Sequence, residues 1–158
     1  MCASNLWEKA KEVKIQTSPD IVGNFSIGFD NRIPEETKDA LIKFVCWVED
    51  HYNLPVTLWV DFMYNHYLLT RDKKRVGYRF YWADFENYPV FQKEEDIPVI
   101  ELPVRTEHWS IEEILSSFIA AISCYFVWLT NRDPQGYVPD ADTVEEILQA
   151  YLHENSEK

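Results

Sequence analysis

The chain has few cysteines, few glycines, few basic residues and no apolar run that reaches across a bilayer. Its three cysteines, Cys2, Cys46 and Cys124, are odd in number, widely spaced and without a C-x-x-C pair. That excludes a disulfide framework and a zinc knuckle. Cys46 and Cys124 lie in apolar runs, where a free thiol is expected to act as a small hydrophobe. The four glycines do not cluster, which excludes a glycine-rich phosphate loop and a G-x-S-x-G nucleophile elbow. The longest apolar run, Phe118 to Leu129, is broken only by Ser123 and is shorter than the ~20 residues that span a bilayer. Met1 to Val13 has scattered charges and no apolar segment of the signal-peptide kind. A reduced, cytoplasmic location is the expectation. The 15 Lys and Arg residues face 27 Asp and Glu, for a net charge of -12. That balance repels phosphate backbones and anionic lipid, so neither nucleic acid nor a membrane is an expected partner.

What is present is a substantial core. The 158 residues are 46% hydrophobic and 15% aromatic, which suits one domain over residues 1–158. Residues 1–20, polar and with a Ser18-Pro19-Asp20 turn, are expected to form a loose arm, and 153–158 a frayed tail. Asn24 to Phe29 alternates like a short strand. Pro34 ahead of Glu35 and Glu36 starts a helix, with Ala40, Leu41, Phe44, Val45 and Val48 as its apolar face, ending before Pro55. Val56 to Leu68 and Val76 to Trp82 alternate around the basic turn 71–75, and read as an antiparallel hairpin with a solvated tip. An irregular stretch over residues 86–96 follows. Ile97 to Val104 is β-like, but Pro98 and Pro103 cannot donate to a ladder, so an edge position is expected. Ser110, with Glu113 three residues on, forms a capping box for a long helix. From Phe118 onward that helix is apolar nearly all round, as a buried central helix is. Asn131, Pro134 and Gly136 end it, and Asp140 or Asp142 caps a last helix bearing Val144, Ile147, Leu148, Tyr151 and Leu152. The expected class is α+β, with helices packed on one mostly antiparallel twisted sheet.

No local catalytic pattern stands out. His51, His66, His108 and His153 do not pair with a second ligand at zinc-site spacing. The acidic pairs Glu35/Glu36, Glu112/Glu113 and Glu145/Glu146 sit at helix starts, and Glu94/Glu95/Asp96 in a polar loop, where acids are ordinary surface residues. The informative segment is Cys124-Tyr125-Phe126-Val127-Trp128-Leu129-Thr130-Asn131. It resembles the aromatic run that follows His-Glu-x-x-His in small zincin-like metallopeptidases, the SprT-like and related minimal proteins. Those place the motif on a helix that comes after a helix and a twisted sheet with an edge strand. In this alignment Cys124 stands at the second histidine, Ala120 at the first and Ala121 at the general-base glutamate. The family's third ligand would fall near Ala141 to Glu145, where no residue is assigned.

In the intact motif, histidines four apart converge on one zinc and the glutamate deprotonates the bound water. Alanine offers neither a lone pair nor a base. The resemblance therefore implies a degenerate member with no catalytic residue, no metal and no cofactor. It also implies a domain kept for binding a peptide or protein, since extended peptides add to the edge strand of that fold. Trp59, Tyr64, Tyr67, Tyr78, Tyr81, Trp82 and Tyr88 are the candidate surface. Two alternatives stay open. One is an enzyme whose Cys124, His66 or His108 and an acid meet only in the fold. The other is a structural or oligomeric interaction module.

Overall fold

Alternation along the strands gives a sheet with one covered and one open face. The computed structural model describes Trp7 and residues 25–52, 54, 57–70, 72–83, 97–131 and 139–156. In chain order its elements are β1 (Phe25–Phe29), α1 (Glu35–His51), β2 (Leu58–Met63), β3 (Leu68–Leu69), β4 (Arg75–Val76), β5 (Arg79–Ala83), β6 (Ile97–Pro103), α2 (Ile111–Asn131) and α3 (Ala141–Ser156). The architecture is α+β, with a mixed four-stranded sheet in the order β1-β2-β6-β5 and a small β3-β4 hairpin.

The expected mostly antiparallel sheet is corrected. β1 runs parallel to β2 and β2 parallel to β6, and only β5 pairs antiparallel, with β6. A helix between two neighbouring strands carries the chain back to its starting side, so β1-α1-β2 must be parallel. The long hairpin also shrinks. Its tip forms β3-β4, with Thr70 donating to Lys74 O and Lys73 held at a φ of 62°. Its arms part because β6 lies between β2 and β5. β6 is thus interior rather than an edge. Pro98 and Pro103 sit at or next to its ends, while Ile100 and Leu102 between them are fully buried.

All three of the helices described help build the apolar layer. Leu58, Val60 and Phe62 of β2 point into it, while Trp59 and Asp61 point away. Phe118 of α2 is its hub, with ring centroids 6.0 Å from Phe25 on β1, 5.5 Å from Phe44 on α1 and 5.5 Å from Phe62 on β2. Over Ile111–Leu129, α2 has the length and composition of a membrane span, and 67% of that stretch is buried inside the protein. The capping box forms in both directions: Glu113 N donates to Ser110 Oγ and Ser110 N to Glu113 Oε1, each at 3.1 Å. Asp140 caps α3, accepting from Asp142 N at 3.3 Å. α3 continues through Ser156, past the expected start of fraying at residue 153. Glu154 holds it there, accepting from the Trp47 indole of α1 and pairing with His51 at 3.0 Å.

Two further expectations change. Trp7 is no part of a loose arm: it is fully buried, donates to Ser123 Oγ at 3.0 Å and meets Tyr52 and Phe126 edge-on, each at 5.0 Å. Cys46 is exposed on α1 and not a core hydrophobe. Its neighbours are apolar, but at 100° per residue it falls outside the stripe of Leu41, Phe44, Val45 and Val48. The stretch 86–96, Tyr88, Pro134 and Gly136 lie outside the described residues.

Candidate functional site

Three regions hold the residues singled out above. The first is the motif-like turn of α2. Ala121 is fully buried, Cys124 is 6% exposed and Ala120 is half-buried. Burial pushes the Cys124 thiol up to about 11, against a hydrogen bond with Tyr78 that lowers it. The thiol is protonated at neutral pH and a poor nucleophile. Tyr78 and β5 come close to this helix: a Cβ on Gly77 would sit 2.9 Å from Ser117 Oγ. Among the described strands β5 is at the sheet edge, and it touches α2. Among the described residues no three His, Cys, Asp or Glu side chains gather as metal ligands.

The second region is the open face of the sheet. Strand registry places Ser26, Trp59, Val99 and Tyr81 in one row across β1, β2, β6 and β5. Gly28, Asp61, Glu101 and Arg79 form the next. Trp59 is 46% and Tyr81 39% exposed. With strands about 5 Å apart, the backbones at Trp59 and Tyr81 stand about 10 Å from each other with Val99 between. Arg79 faces Glu101 at 3.2 Å, and the Tyr81 hydroxyl reaches Glu101 at 3.5 Å. Partial burial and then Glu101 raise the Tyr81 phenol above its ordinary value. Asp61 forms no ion pair among the described residues, and nothing lies within 4 Å of where a Gly28 Cβ would be.

The third region is at the carboxyl ends of the parallel strands β1, β2 and β6, where the following loops converge. Here the Tyr64 ring has Arg105 at 4.5 Å and Arg32 at 5.0 Å, and its hydroxyl donates to Glu107 at 2.9 Å. Arg105 also pairs with Glu107, its Nε at 3.1 Å. These donors hold Glu107 below the usual carboxylate range, Arg105 first and then Tyr64. Arg32 chelates Asp30 through Nε at 3.0 Å and Nη2 at 2.9 Å, which lowers that carboxyl to about 2. The His66 and His108 rings meet at 3.5 Å between centroids, and the Trp109 indole donates to His66 O. Burial, then His108 and Arg105, lower the His66 pKa, with Glu107 opposing.

The candidate surface thus divides. Trp59 and Tyr81 share the open face, Tyr64 and Tyr67 line a hollow at the strand ends, and Tyr78 turns toward Cys124. The backbone of Trp82 is in β5 opposite Pro98, and its side chain lies outside the described residues. The histidines available to a Cys/His site pair with each other, while Cys124 is bonded to Tyr78. Sequence reasoning missed the cluster of Arg32, Arg105, His66 and His108. Its signal was that Asn65-His66 and Glu107-His108 each follow a strand, and that signal is readable only once β2 and β6 are known to be parallel neighbours. No protein-family model, curated protein or solved structure matches this chain.

Proposed function

We propose that this chain is a non-catalytic binding domain, a degenerate relative of zincin-like metallopeptidases that holds an extended peptide or protein segment on the open face of its sheet. The single observation behind the binding role is the row in which exposed Trp59 and Tyr81 flank half-buried Val99. Indole and phenol side chains that stay in contact with water are frequent anchors of interfaces, where truncating one costs ~2 kcal/mol or more. The partner's chemistry follows from the adjoining row. Asp61 is a carboxylate with no ion pair among the described residues, in a chain of net charge -12. A segment pairing apolar side chains with a lysine or arginine fits both rows.

The parentage is supported by element order and by β5 lying at the edge of the described sheet in contact with α2. Panning a random dodecapeptide library against the full chain tests the reading. Enriched peptides should combine apolar and basic residues and bind a Trp59→Ala, Tyr81→Ala variant at least about 30-fold more weakly. Peptides that bind the variant equally well would refute it. So would a wild-type dimer dissolved by the same substitutions, since the face would then serve a second copy.

A further inference from the structure

The hollow at the strand ends has a lining that its surroundings do not predict. It encloses about 500 Å³ between Met63, Tyr64, Asn65, His66, Tyr67, Leu68, Leu69, Arg79 and Arg105. In a chain with 27 acids against 15 basic residues, this wall holds two arginines, a histidine, an asparagine and two tyrosines, and no carboxylate. Two acids outside the lining pair with its arginines. Glu107 takes Nε and Nη2 of Arg105, and Glu101 faces Nη1 of Arg79, whose Nη2 donates to Leu69 O at 3.2 Å. A guanidinium has five donors, so both retain some for a ligand. The rest of the wall, Met63, Leu68, Leu69 and the tyrosine rings, is apolar surface.

We infer that this hollow binds a small organic anion, a carboxylate or phosphate monoester on an apolar or aromatic body. Planar guanidiniums, each oriented by a paired glutamate, match the fork of such a group, and the apolar wall takes the body. The inference uses neither Trp59 nor Tyr81, and shares with the open-face reading only Arg79, at the end of its second row. His66 supplies a built-in reporter. The charged and titratable groups around it are Tyr64, Tyr67, Arg79, Arg105, Glu107 and His108. A bound anion adds negative charge among them, so His66 takes up a proton and binding tightens as pH falls through the imidazole range.

The test titrates the full chain with benzoate, phenyl phosphate and, as a cation of the same body, benzylamine, following the Tyr64 and His66 ring resonances. At least one anion should saturate its shifts and raise the His66 titration midpoint, with benzylamine producing neither effect. Arg105→Gln should weaken the anion at least about tenfold. Leu69→Glu, placed at a rim position that is 47% exposed and cannot disturb the core, should do the same through like charge. Equal shifts with benzylamine, no saturation by either anion, or unchanged affinity in Leu69→Glu would overturn the inference.

Discussion

Substituting Ala121 by glutamate asks directly whether the motif-like turn of α2 faces a cleft or the core. On the proposed alignment with zincin-like proteins this position would carry the general base, which must reach water. Here Ala121 is fully buried, between Phe118, Ile122 and Tyr125 in sequence, all themselves buried. The added side chain overpacks the site by about 1–3 kcal/mol. Keeping its carboxyl neutral at pH 7, nearly three units above its ordinary pKa, costs about 4 kcal/mol more. The total, about 5–7 kcal/mol, is comparable with the whole stability of a domain, about 5–15 kcal/mol. The charge contribution has a definite sign. A carboxyl whose folded pKa is raised destabilises above its unfolded pKa and ceases to do so below it, so at pH 5 this part shrinks to about 1 kcal/mol. Thermal denaturation by circular dichroism should therefore show a severe loss at pH 7 that partly recovers at pH 5. Ala120→Glu, one residue away and half-buried, should cost within about 1 kcal/mol. An Ala121→Glu protein as stable as the wild type at pH 7 would refute the packing argument, because the position would then open to solvent.

Three further outcomes follow from the same geometry. With a Cys124 thiol near 11, about one molecule in a thousand is thiolate at pH 8, so native protein should be alkylated at exposed Cys46 and spared at Cys124, as peptide mapping would show. Ser110→Ala removes one half of the capping box and should cost about 1 kcal/mol, or roughly 2–4 °C in Tm. Trp7→Ala empties a fully buried site and should cost about 3–5 kcal/mol. A loss below ~1 kcal/mol in chemical denaturation would mean that the indole is not seated in the core.

The helices were legible because each carries its own signals. Pro34 with Glu35 and Glu36 marks the start of α1, Ser110 with Glu113 that of α2, and the apolar surround of residues 118–129 reports burial. The sheet was less legible. Alternation tells which residues share a face and says nothing about which strand lies next to which, so β2 and β5 read as one hairpin while β6 lies between them. Trp7 carried no signal either, because one indole in a polar stretch gives no period. The candidate site divides in the same way. Trp59 and Tyr81 were visible as aromatics of alternating runs, and the row that joins them needs the registry through Val99. His66 and His108 are 42 positions apart and meet only because parallel strands end side by side.

The claim that binding belongs to the open sheet face, with the α2 turn sealed, is tested most directly by amide chemical-shift mapping with a library-selected peptide on the full chain. The largest perturbations should fall on Trp59, Asp61, Val99 and Tyr81, with Ala120 to Cys124 unmoved. Perturbations centred on Ala120 to Cys124, with the sheet rows silent, would contradict it.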